Sequence, residues 1–182
     1  MKKPAFEGIA GIHTDYSIES LRILLNKDCL SERFFALTDL REELIAGLKG
    51  FGCVVKSDAS RLSDAELAAV LRHDEAAVRL FRRFLTIYDP SPQKFKEIPA
   101  LSSDPSEQQS YRELYLLPGV RYTRAHLYYR SGYKTLQSIA ETTVEEVLSK
   151  TAMTISDGNL TCIVPLPKEV RTHIAVAKAF TR

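Results

Sequence analysis

Residues 117–140 read Leu117-Pro118-Gly119-Val120-Arg121-Tyr122-Thr123-Arg124-Ala125-His126-Leu127-Tyr128-Tyr129-Arg130-Ser131-Gly132-Tyr133-Lys134-Thr135-Leu136-Gln137-Ser138-Ile139-Ala140. Pro118-Gly119 is a turn signal, because proline presets φ and glycine tolerates the left-handed region. A helix over about 107–116 precedes the turn. A second, about 122–131, follows it and ends at Gly132. Ala125 lies six residues after Gly119, Tyr128 nine and Gly132 thirteen. Thr135-Leu136 leads into Ile139-Ala140. A last helix then starts at Thr143, with Val144, Val147 and Leu148 on one face. Thr143 followed three later by Glu146 is a possible capping box.

Outward from this stretch, the rest of the chain also reads mainly helical. Ser17 is placed to cap a short helix with Ile18, Leu21, Leu24 and Leu25 at helical steps. Residues 31–49 put Phe34, Leu37, Leu40, Leu44, Ile45 and Leu48 on one face, and Gly50 and Gly52 supply the stop. Ser63-Asp64-Ala65-Glu66 is a capping box that opens a helix with Leu67, Val70 and Leu71. A helix over about 74–88 carries Ala77, Leu80, Phe81, Phe84, Leu85 and Tyr88. Its Arg79, Arg82 and Arg83 read as a solvated face. Pro165-Leu166-Pro167 precedes a final helix with Val170, Ile174, Ala175, Ala177 and Phe180. Residues 53–56 and 160–164 are the strand candidates, too short for periodicity to settle. The fold expected is all-α with at most a few short strands.

Residues 89–110 hold four of the eight prolines and five serines. Proline removes a backbone donor and restricts the residue before it, so 89–106 reads as a linker. It separates an N-terminal helical part, 1–88, from a C-terminal part, 107–182. Phe95, Ile98 and Leu101 imply that this linker packs against something.

The 182 residues are 45% hydrophobic and 26% charged, which excludes a disordered or fibrous chain. No apolar run approaches the ~18 residues of a membrane helix. The basic start, Met1-Lys2-Lys3, is not followed by an apolar core and cleavage site, so no signal peptide is expected. Cys29, Cys53 and Cys162 are odd in number and far apart, which fits reduced thiols in the cytoplasm. The four histidines are dispersed, and no metal or cofactor is expected. Walker, GxGxxG, GxSxG and HExxH motifs are absent, and adjacent acids such as Glu42-Glu43 do not share a helix face. No enzyme is indicated.

The net charge of +2 conceals a division. Residues 1–106 carry 15 Lys/Arg against 16 Asp/Glu, while 107–182 carry 10 against 7. Within 111–134 the count is five basic (Arg112, Arg121, Arg124, Arg130, Lys134) to one acidic, Glu113. Six of the eight tyrosines lie in 111–133, and the chain has no tryptophan. Tyr115 and Tyr133 flank turns and are expected to be half-buried, and Tyr122 and Tyr129 are expected to be exposed.

Taken together, the spacings after Leu117-Pro118-Gly119-Val120 resemble a tandem helix-hairpin-helix module over about 45 residues. They are also similar to a family of uncharacterised bacterial proteins built around such a module. In that family a hairpin glycine lets phosphate approach the backbone, and N–H groups at the next helix start point at it. The resemblance implies sequence-independent binding to the DNA backbone through Gly119, Val120, Arg121, Thr123, Arg124, Arg130 and Lys134, with Val120 packing inward. It also implies a core position for Tyr128, where the family's pattern has leucine. Arg121 stands where the family has a second glycine. It either obstructs the approach or supplies a cationic contact instead. Leu48-Lys49-Gly50-Phe51-Gly52 echoes the hairpin, but its downstream spacing fails, so it reads as a helix stop. Gly47-Leu48-Lys49-Gly50 has the spacing of a GxxG phosphate clamp without the strands of that fold. The alternative function is a protein-interaction or self-association module using the tyrosine-rich surface.

Overall fold

The computed structural model describes Ile9 and residues 11–182. Among these the chain is 64% helical with 12 α-helices and no strands, an all-α fold. In order they are α1 (Leu21–Leu24), α2 (Phe35–Asp39), α3 (Arg41–Gly50), α4 (Lys56–Arg61), α5 (Asp64–Val70), α6 (Glu75–Phe84), α7 (Ile98–Leu101), α8 (Pro105–Leu114), α9 (Tyr122–Arg130), α10 (Leu136–Ala140), α11 (Val144–Gly158) and α12 (Pro167–Phe180). The candidate strands are not formed. A single bridge pairs Ser17 with Val55, and 160–164 is irregular.

The elements follow local chemistry. Ser63 accepts from the Glu66 N–H while Glu66 returns to the Ser63 N–H, which starts α5 as a full capping box. Asp74 caps α6 and Asp104 caps α8. Gly52, at φ +78°, ends α3: its N–H bonds Lys49 O and the Cys53 N–H bonds Leu48 O. That pair of bonds is a Schellman stop, so this glycine pair closes a helix. Gly47 has a packing role, since a Cβ there would lie 2.5 Å from Val70 Cγ1 of α5.

Three local expectations differ from the fold. Ser17 makes no capping bond, and its helix begins as a 3-10 turn over Ile18–Ser20. The single helix expected over 31–49 is broken at Leu40, at φ −100° and ψ 4°. The break lets Leu37 of α2 and Leu44 of α3 both bury completely. Arg82 is not on a solvated face. Its guanidinium bonds the Asp64 carboxylate and the carbonyls of Ser60 and Leu62, which fastens α6 to the α4–α5 turn.

α12 lies at the centre. Val170, His173, Ile174, Ala175, Val176, Ala177, Ala179 and Phe180 are all buried, nearly the whole circumference. It packs against α10 and α11 and against α1. The Thr172 hydroxyl donates to Cys29 O at 2.6 Å, and the His13 N–H donates to Phe180 O at 2.7 Å. One buried cluster therefore includes residues from Tyr16 to Phe180. Residues 89–106 carry a 3-10 turn, Pro92–Glu97, and α7, with Phe95 and Ile98 buried in the same cluster.

Candidate nucleic-acid interface

α8 and α9 are joined by a tight hairpin. The Val120 N–H bonds Leu117 O at 3.3 Å, and Gly119 has φ +73°. Pro118 then Gly119 at the two central positions is the signature of a type II turn. Val120 is buried, the packing that holds the turn against the core. A Cβ added at Gly119 would meet nothing within 4 Å, so the backbone there is open.

Two carbonyls of this hairpin, those of Leu117 and Pro118, are held by side chains from elsewhere in the fold. Leu117 O also accepts from Lys94 Nζ at 3.4 Å, and Pro118 O accepts from His173 Nε2 at 3.0 Å. Arg121 is the N-cap of α9 and offers no side-chain acceptor, in contrast to Ser63, Asp74, Asp104, Thr135 and Thr143 on five other helices. Among the described residues, the N–H groups of Gly119, Arg121, Tyr122, Thr123 and Arg124 have no hydrogen-bond partner. Free donors at a helix start carry a local positive potential.

The sequence-derived residues separate into two groups. Gly119, Arg121, Thr123 and Arg124 line one shallow depression of about 410 Å³, with Thr161, Cys162, Ile163 and Glu169 opposite. Arg121 is 66% exposed, and its carboxylate neighbour Glu97 is 3.5 Å away. Arg124 is committed elsewhere. It donates from Nε to Glu169 Oε1 at 2.8 Å and from a terminal nitrogen to Ile163 O at 2.9 Å, with only 17% of its side chain exposed. Arg130 lies at the other end of α9, about 12 Å along the axis at 1.5 Å per residue. It borders a different depression with Lys150 and Asp157. Lys134 lies past the helix, its Nζ 5.1 Å from the Tyr129 ring centre.

Four of the six clustered tyrosines are core. Tyr111, Tyr115, Tyr128 and Tyr133 are buried, so Tyr115 and Tyr133 are core residues and not the half-buried ones their positions beside turns imply. α9 ends in a Schellman motif at Gly132, φ +92°, with Gly132 N–H to Tyr129 O and Tyr133 N–H to Tyr128 O. The Tyr128 and Tyr133 rings meet edge to face across it. Tyr122, 39% exposed, and the half-buried Tyr129 are the two that reach the surface.

Several residues that shape the site gave no signal in the sequence. Lys94, Glu97, Glu169 and His173 lie more than 20 residues from the hairpin positions they hold, and nothing in local spacing reports such contacts. Burial and the nearby Arg121 push the Lys94 ammonium down to about 8. Burial raises the Cys29 thiol above its ordinary range. Among the described residues no group of three His, Cys, Asp or Glu is placed to hold a metal ion, and no helix is long and apolar enough to cross a membrane. No family model, curated protein or solved structure matches the chain.

Proposed function

We propose that this chain is a non-enzymatic, cytoplasmic nucleic-acid-binding protein whose α8–α9 hairpin grips the DNA backbone without reading sequence. The observation that carries the reading is the set of unpartnered amides of Gly119, Arg121, Tyr122, Thr123 and Arg124 at the turn and the start of α9. A phosphate oxygen supplies the acceptors these donors lack. Arg121 adds a cation at the same place, since an exposed pair with Glu97 holds it by no more than about 1 kcal/mol. The resemblance to helix-hairpin-helix modules supports the same assignment. Titrating duplex DNA across a salt series tests it. Binding that weakens steeply from 50 mM salt upward is the expected result. Absence of binding at 50 mM, or affinity independent of salt, would refute it.

A second reading, a protein-interaction or self-association module, is favoured by one observation. Ile163 (77% exposed), Val164 and Leu166 (67% exposed) present three large aliphatic side chains within four residues, beside the hairpin depression. Grouped apolar exposure of this kind marks contact surfaces. Sedimentation of the purified chain distinguishes the two: a strict monomer that binds DNA leaves the second reading without support.

A further inference from the structure

The outer stripe of α9 is built of rings. Tyr122, His126 and Tyr129 fall at i, i+4 and i+7, so they share one face of the helix. Tyr122 and His126 lie near-parallel, 26° apart with centres 5.3 Å apart. Both Tyr122 and Tyr129 rest on the buried Tyr111 of α8 in edge-to-face contacts of 5.9 Å. Tyr111 is itself fixed. Its hydroxyl donates to Glu107 Oε1 at 2.7 Å, so toward His126 Nδ1, 2.9 Å away, it acts as acceptor. That accounting puts the proton of His126 on Nδ1 and leaves Nε2 without a partner among the described residues.

A ring pair held this firmly at the surface is preorganised for a planar guest. The charge around it selects which guest. Of the four Lys/Arg from Arg121 to Lys134, Arg124 is bonded to Glu169 and Arg121 lies 3.5 Å from Glu97. The Glu107 carboxylate acts on His126 and Arg130, which leaves Lys134 as the cation with no carboxylate beside it among the described residues. Lys134 sits over the Tyr129 ring. An acidic peptide would match the charge but gives no flat face to stack; an unpaired nucleobase on a phosphate chain matches both.

We infer that the Tyr122–His126 pair is a stacking platform for an unpaired DNA base, so that this chain recognises the junction between duplex and single strand. The inference rests on the proposed phosphate grip, because Tyr122 contributes to both. Its N–H is one of the free amides of the hairpin, and its ring begins the platform.

The full chain is titrated by fluorescence anisotropy with three labelled DNAs: a blunt duplex, the same duplex with a short oligo-dT tail, and the single strand alone. The tailed duplex is expected to bind about tenfold tighter than the blunt one, the effect of one stacked base. Tyr122→Leu should remove that preference and Tyr122→Phe should keep it. Photocrosslinking of a 5-iodouracil tail to the unmodified chain should map to Tyr122 or His126, a readout that needs no variant. Equal affinity for blunt and tailed duplex overturns the platform and leaves the phosphate grip standing. Tight single-strand binding with no blunt-duplex binding overturns the grip and the junction recognition that rests on it, leaving the ring pair as a single-strand contact only. Binding to none of the three overturns both.

Discussion

The imidazole of His173 donates from Nε2 to the carbonyl oxygen of Pro118 at 3.0 Å, joining the central helix α12 to the hairpin turn. A carbonyl only accepts, so Nε2 carries the proton. Nδ1 of the neutral ring then accepts from the Tyr128 hydroxyl at 2.7 Å. Burial pushes this histidine down to about 4 from its usual 6.5. The sign follows from linkage: the unfolded chain takes up a proton near pH 6.5, while the folded chain resists until about 4. Stability is therefore complete above pH 6.5 and is lost progressively as pH falls toward 4, by about 3 kcal/mol at 1.36 kcal/mol per unit. Urea unfolding at pH 7.5 and 4.5 should show the loss, and His173→Gln should remove most of that pH dependence. A His173→Gln profile identical in slope to the unmodified chain would contradict the assignment.

Arg121 and Arg124 are neighbours on the hairpin with opposite expected phenotypes. Arg121 is exposed and loosely paired. Arg121→Ala should leave the melting temperature almost unchanged while lowering DNA affinity for every sequence and reducing the salt slope by about one. Arg124 ties α9 to Glu169 and to the 160–166 loop. Arg124→Ala should cost about 1–3 kcal/mol by leaving Glu169 part-buried and unpaired. Thermal melts beside salt-dependent binding isotherms separate the two. A destabilised Arg121→Ala with unaltered binding would reverse the roles.

The contrast between these arginines explains what was legible in the sequence. Local signals carried through to structure: Ser63-Glu66 closed its box, Gly52 and Gly132 stopped their helices, and Pro118-Gly119 made the turn. Each depends on residues within five positions of one another. Arg124 could not be read this way, because Glu169 is 45 residues distant and their contact exists only once α12 has packed. Arg82 is the same case at shorter range, its acceptors fixed by the α4–α5 turn. The break at Leu40 was hidden for a different reason. An uninterrupted apolar stripe fits one straight helix or two bent ones equally well, and burial of both Leu37 and Leu44 decides it.

Gly47 reports on packing between α3 and α5. The Cβ of an alanine there would fall 2.5 and 2.9 Å from the two methyls of Val70, whose branched side chain has few alternative rotamers in a helix. Alanine improves helix propensity by about 1 kcal/mol, but overpacking costs about 1–3 kcal/mol. Gly47→Ala should therefore destabilise the chain, and adding Val70→Ala should recover much of the loss. Chemical denaturation of the single and double variants measures the coupling. A more stable Gly47→Ala single variant would show that the two helices separate freely at this point.

Tyr16 is buried at 1% exposure, stacked near Phe180 of α12 with Lys56 Nζ 5.8 Å from its ring centre. Its hydroxyl has no hydrogen-bond partner among the described residues. Burial and the nearby Tyr88, Asp89 and Asp15 hold the phenol far above its ordinary range, so it stays protonated and uncharged. A buried hydroxyl without a partner costs about 1–3 kcal/mol of desolvation that no bond offsets. Tyr16→Phe removes that oxygen while keeping the ring contacts, and is expected to match or exceed the stability of the unmodified chain by up to about 1 kcal/mol. Tyr16→Leu, which also loses ring packing, should destabilise it by contrast. A loss above 1 kcal/mol in Tyr16→Phe would mean that the hydroxyl is bonded in solution.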